Sequence, residues 1–131
     1  MSISFEGIGE VTATFLKDGN STVKPGQVVC ITGNNTVGLG ADGTVPCGVA
    51  ATVAGDGYVG VQISGLAEVT YSGTAAPTAG WNTLAADGSG GMKVAAASTT
   101  TQSSESTSGQ TGRPYLVVSV DTTAKTAVIK L

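Results

Sequence analysis

Glycine, serine and threonine are spread so evenly along the 131 residues that no stretch keeps apolar side chains at the three- and four-residue spacing of an amphipathic helix. With 20 glycines and no helical stripe, the chain has to bury its apolar residues through strands. Period two is what it shows. Val11, Ala13 and Phe15 alternate with Thr12 and Thr14; Val59, Val61 and Ile63 alternate with Gly60, Gln62 and Ser64; Ala67, Val69 and Tyr71 alternate with Glu68 and Thr70. Towards the C-terminus, Leu116, Val118 and Val120 oppose Tyr115, Val117 and Ser119. Residues 121–125 (DTTAK) then turn the chain back into 126–131 (TAVIKL), which predicts a hairpin. Val59, Val61, Ile63, Val69, Leu116, Val118 and Ile129 are the expected core.

The segments between these strands carry turn chemistry. Asn34-Asn35, Asp42-Gly43, Asp56-Gly57 and Asp87-Gly88 supply residues that tolerate positive φ. Pro25-Gly26 and Pro46 fall at strand edges, and Gly65 divides two apolar strands as a bulge or barrel corner would. The expected fold is therefore all-β, a small antiparallel β-barrel or β-sandwich with hairpin connections, as a single domain over 1–131. Residues 98–112 contain no apolar side chain and read as a flexible Ser/Thr-rich loop between two strands. Ala41-Asp42-Gly43 and Ala86-Asp87-Gly88, each followed by Val-Ala-Ala, form a weak echo that reads as two similar hairpins rather than a duplicated domain.

Composition removes several function classes. Histidine is absent, which takes away Ser-His-Asp and Cys-His nucleophile systems, imidazole metal sites and the commonest general base. Of the nine acidic residues, Asp42, Asp56 and Asp87 each precede a glycine and are accounted for by turns, and no alternating acidic ligand loop for calcium is present. No catalytic residue, cofactor site or metal site is therefore expected, and no enzyme activity. Six scattered basic residues give no phosphate-binding patch, so nucleic acid is not an expected partner. No apolar run approaches the ~20 residues that span a bilayer, so no membrane partner is expected either. The opening residues lack the basic and apolar regions of a secretory signal, which points to a chain made in the cytosol and kept there unless it leaves as part of a particle. Cys30 and Cys47 then read as reduced core thiols, with a Cys30–Cys47 bridge as the alternative.

Four residues stand out as contact candidates. Ile3, Phe5 and Ile8 lie in a glycine-interrupted segment that suits an N-terminal arm, residues 1–10, adding as a strand to an exposed edge of a partner or a neighbouring subunit; alternatively Ile3 and Phe5 begin the domain's own first strand. Trp81, the lone tryptophan, reads as a plug in the core or at a subunit interface rather than as a sugar platform. The number of apolar strand residues exceeds what one small domain hides comfortably, which predicts a homotrimer.

Residues 23–29 (VKPGQVV) and 46–50 (PCGVA), followed by 57–65 (GYVGVQISG), 71–73 (YSG), 80–94 (GWNTLAADGSGGMKV) and 115–126 (YLVVSVDTTAKT), resemble in matching order the small head decoration, or capsid cement, proteins of tailed bacteriophages and prophages. The likeness runs from about Val23 to Leu131 and is a pattern of strands and turns; the tract 98–112 is longer than the family's. The resemblance implies a compact, commonly trimeric β domain seated on the outside of an expanded head near its threefold positions. The major capsid protein would be its partner, and the virion surface its location after synthesis in the host cytoplasm. The competing reading is a carbohydrate-binding or other ligand-binding β-sandwich, in which Trp81 with Tyr58, Tyr71 or Tyr115 would form an exposed aromatic platform.

Overall fold

The computed structural model describes residues 10–19, 22–95 and 112–131. Ile3, Phe5 and Ile8, and residues 98–111 of the Ser/Thr-rich tract, lie outside the described residues. All regular structure within them is β. Strands β1 (Val11–Lys17), β2 (Val28–Gly33), β3 (Thr36–Gly38), β4 (Gly48–Val53) and β5 (Tyr58–Ser64) close into one five-stranded barrel. A second closed barrel is formed by β6 (Leu66–Ser72), β7 (Gly80–Ala86), β8 (Met92–Val94), β9 (Arg113–Asp121) and β10 (Thr126–Lys130). Closure pairs every strand on both sides and leaves no open sheet edge within either barrel.

Both barrels use one connectivity. The first strand of each pairs antiparallel with the fifth and parallel with the short third, and the third, second, fourth and fifth follow in antiparallel sequence. The sheets are thus mixed, each with one parallel pair in an otherwise antiparallel barrel. The Ala-Asp-Gly echo is not the mark of this repetition. Residues 41–43 connect β3 to β4, whereas residues 86–88 connect β7 to β8. The two segments instead meet where the barrels touch: Gly43 N donates to the Ala86 carbonyl at 2.9 Å, and Ala86 N to the Thr44 carbonyl at 2.9 Å.

The turn residues behave as their chemistry requires. Asn35 turns β2 into β3 at φ 57°, and Gly43, Gly57 and Gly88 all take positive φ. Residues 122–125 close the β9–β10 hairpin with Lys125 at φ 59°. Gly65, at φ 96°, is the joint between the barrels. That joint is clamped: the buried Gln62 side chain donates from Nε2 to the carbonyls of Ser64 at 3.0 Å and Leu66 at 3.1 Å, and Leu131 N donates to the Gly65 carbonyl.

A shared wall explains how two very small barrels stay folded. Val23, Val29, Val37, Ala50, Val59 and Val61 fill the first barrel. Their sequence neighbours Val28, Cys30 and Val49 point the other way and join Tyr71, Leu84, Met92, Tyr115, Val117 and Ile129 of the second barrel in one cluster. β2 and β4 are therefore buried on both faces, and their openings are apolar without alternation, as strands with two dry faces require. Each fully buried valine in that wall contributes roughly 1.5–3 kcal/mol. Neither barrel reaches this burial alone.

Three expected core positions lie elsewhere. Val59, Val61, Val69 and Ile129 are buried, but Ile63 is 40% exposed. The register of β5 against β1 skips Ile63, with Val11 opposite Ser64 and Thr12 opposite Gln62, so this bulge turns Gln62 inward and Ile63 out. In β9 the inward set is Tyr115 and Val117, while Leu116 faces outward between Trp81 and Lys130. Val118 is the extra residue of a second bulge, and beyond it Val120 returns to the core. Four consecutive apolar residues in β9 make both phases equally apolar, and the aromatic ring of Tyr115 takes the inside.

Candidate functional site

Trp81 does not plug the core of the chain. It is 72% exposed, the most exposed large apolar residue described, on the outer wall of the second barrel. Strand parity accounts for this in the first half of β7: Leu84 and Ala86 point into the core cluster, and Trp81 and Thr83, of the opposite phase, face out, whereas Ala85 of the same phase is covered where the barrels meet. Trp81 lies directly opposite Leu116 of β9, which in turn lies opposite Lys130 of β10, itself paired with Leu66 of β6. One row across four strands thus reads tryptophan, leucine, lysine, leucine.

The backbone beneath Trp81 is held from both sides. Asn82 donates from Nδ2 to the carbonyls of Thr78 at 2.6 Å and Gly80 at 3.0 Å, and its Oδ1 accepts from Thr78 N at 3.0 Å. These bonds fix the turn entering β7, where Gly80 sits at φ 112°. A large amphipathic ring on a fixed backbone has little entropy to lose when a partner covers it.

Among the described residues the other tyrosines are not gathered around it. Tyr71 and Tyr115 are buried in the core cluster, and Tyr58 lies on the first barrel opposite Leu16. The aromatic platform needed by the sugar-binding reading is not assembled.

A second feature occupies the junction of the barrels. The loop at Pro25–Gln27, the outer face of β6, the first residue of β10 and the β7–β8 turn enclose a cleft of about 360 Å³. The turn on its rim is built around Asp87, whose Oδ1 accepts from Ser89 N at 2.8 Å and Gly91 N at 3.0 Å, while Oδ2 accepts from the Ser72 hydroxyl at 2.7 Å. Lys93 and Asp42 form an ion pair across the junction.

Burial pushes the Asp87 carboxyl up, but the Ser72 hydroxyl and the backbone N–H groups of Ser89 and Gly91 outweigh it and hold Asp87 below the ordinary carboxylate value. A lowered folded-state value means that this stabilisation is present above the unfolded carboxyl's value, about 3.9, and lost as pH falls through the folded one. Asp87→Asn is expected to melt below the parent at neutral pH, with the gap narrowing under acid conditions below about pH 4. Melting curves across pH check this; a gap independent of pH would show that the ionised carboxylate contributes nothing.

Both thiols are free. Cys30 is buried in the shared wall and Cys47 half-buried beside it, and no bond joins their sulfurs. Burial, reinforced by the neighbouring Cys47, pushes the Cys30 thiol up to about 11, and burial likewise raises Cys47. Thiols held protonated at neutral pH are poor nucleophiles. Among the described residues no group of three His, Cys, Asp or Glu side chains is placed to hold a metal ion. No protein-family model matches the chain, and no curated protein matches its sequence.

Proposed function

We propose that this chain is a structural virion protein that binds the outer surface of a phage head and braces it, acting as a homotrimer on the major capsid protein. The observation that carries the reading is Trp81, an exposed aromatic anchor beside Leu116 on a backbone fixed by the Asn82 bonds. The ordered resemblance of residues 23–131 to decoration proteins supports it independently. A rigid double barrel suits such a role because many modest contacts, repeated over a shell and bridging neighbouring subunits, reach high effective concentrations without a deep pocket in any one copy.

The test is co-sedimentation with expanded heads made from the major capsid protein of the phage or prophage whose genome carries the gene for this chain. The parent is expected to pellet with the heads and to protect them against heat. Trp81→Ala should bind about 30-fold more weakly or worse, as expected when a buried interface anchor is truncated. Its melting temperature should stay that of the parent, since an exposed side chain contributes little to folding. A parent protein that leaves the heads in the supernatant overturns the reading. Unchanged binding by Trp81→Ala would remove Trp81 from it.

A further inference from the structure

Independently of any capsid role, we propose that the cleft between the barrels is a binding site for a neutral saccharide. Its walls come from both barrels. Glu68 and Thr70 project from the outer face of β6, and Thr126 lies directly opposite Thr70 on β10. Gln27 and Ser89 face them from the Pro25–Gln27 loop and the β7–β8 turn.

The side chains lining this space have unspent hydrogen-bonding capacity. Among the described residues, the Glu68 carboxylate has no ion-pair partner, and the hydroxyls of Thr70, Thr126 and Ser89 make no hydrogen bond. Gln27 is oriented by Lys24 N, which donates to its Oε1 at 2.8 Å. Its Nε2 is left as a donor packed against Gly90, where a Cβ would come within 2.6 Å of it.

The mixture of groups selects the ligand. Among the described residues Glu68 is the only charged one lining the cleft, so an anion such as phosphate would meet repulsion with no described lining cation to offset it. One carboxylate is too few for a hard cation that takes six or more oxygen ligands. Among the described residues no aromatic or large exposed aliphatic side chain lines the space, which disfavours an apolar ligand. Vicinal hydroxyls, each both donor and acceptor, match a carboxylate that only accepts, a carboxamide that donates and three hydroxyls that do either. Pro25 offers a flat aliphatic surface for a sugar's C–H face. The volume, about 360 Å³, falls within the range of small-ligand clefts, roughly 300–1,000 Å³.

The experiment titrates the full isotope-labelled chain with glucose, galactose, N-acetylglucosamine and maltose, with putrescine as a cationic comparison, and follows backbone amide shifts by NMR. At least one sugar is expected to shift the amides of Gln27, Thr70 and Gly90 saturably. Glu68→Ala, an exposed substitution, should weaken that sugar about tenfold or more. Thr126→Val should also weaken it, and Trp81→Ala should leave it unchanged. The proposal is overturned if no sugar gives saturable shifts, if the shifts cluster around Trp81, if they survive Glu68→Ala undiminished, or if putrescine alone binds. Head co-sedimentation by Glu68→Ala should match the parent, so failure here and failure of the capsid reading are separately visible.

Discussion

Truncating Tyr115 to alanine is expected to cost about 3–5 kcal/mol, the usual range for emptying a large buried aromatic site. Tyr115 is 1% exposed and stands among the largest fully buried side chains. It belongs to the cluster that Val28, Cys30 and Val49 enter from the first barrel, and the Arg113 guanidinium carbon lies 4.5 Å from its ring centroid. Its removal therefore opens a void in the wall that both barrels share, and a domain of this size holds only about 5–15 kcal/mol in all. The phenol contributes much less. Its hydroxyl is 3.5 Å from the Pro46 carbonyl, at the outer limit of a hydrogen bond, so Tyr115→Phe should cost under about 1 kcal/mol. Urea unfolding of the two variants checks the contrast. Because the core cluster spans both barrels, each variant should unfold in one transition. Equal losses for Phe and Ala would transfer the effect from the ring to the hydroxyl, and two separated transitions would show that the shared wall does not couple the barrels.

The same wall marks how far the fold is legible in the sequence. Alternation and turn residues place β1, β5, β6, β9 and β10, because a strand with one wet face writes its phase into the chain, as Ala67, Val69 and Tyr71 do. They fail where a strand has two dry faces or a bulge. Val28-Val29-Cys30 and Gly48-Val49-Ala50 do not alternate because neither face meets water, and that run was the available signal for a second packed layer. The bulges at Ile63 and Val118 each insert one residue and reverse the phase on one side. Nothing in single-residue preference announces either. The repeated connectivity is invisible for another reason: topology is carried by which strands pair, and unrelated apolar residues serve equally well at equivalent places.

Of the candidate site, the sequence singles out Trp81 by its rarity and leaves it between the core and a subunit interface; its exposure removes the core half of that reading. Rarity favours a core position in a chain so poor in aromatics; the phase of β7, fixed by Leu84 and Ala86, overrides that prior. The cleft could not be read at all. Gln27, Glu68, Ser89 and Thr126 are scattered over 100 residues and look like ordinary solvated positions until the barrels bring them together. Asp87-Gly88 was legible as a turn, whereas its three incoming hydrogen bonds depend on where Ser72, Ser89 and Gly91 fall.

Gly48 offers the second large effect, and here the reason for glycine is space rather than a turn. It opens β4 on the shared wall, opposite Val29. A Cβ at 48 would lie 2.3 Å from the Gln62 carbonyl oxygen and 2.7 Å from a Val61 methyl. The first is backbone at the Ile63 bulge and the second is packed in the first barrel's core, so neither yields without parting β4 from β5. Gly48→Ala is expected to cost about 1–3 kcal/mol through overpacking, after any gain from replacing a strand glycine, which is roughly 0.5–1 kcal/mol. Gly60 supplies the control. It too is a strand glycine packed closely, but the atom nearest to a Cβ there is the Thr52 hydroxyl at 2.6 Å, a group that moves by rotating one bond. Gly60→Ala should therefore stay within about 1 kcal/mol of the parent. If both variants melt alike, the distinction between a backbone and a side-chain obstacle carries no weight here; if only Gly48→Ala falls, the β4–β5 contact is the tight point on which closure of the first barrel, and the wall it presents to the second, depends.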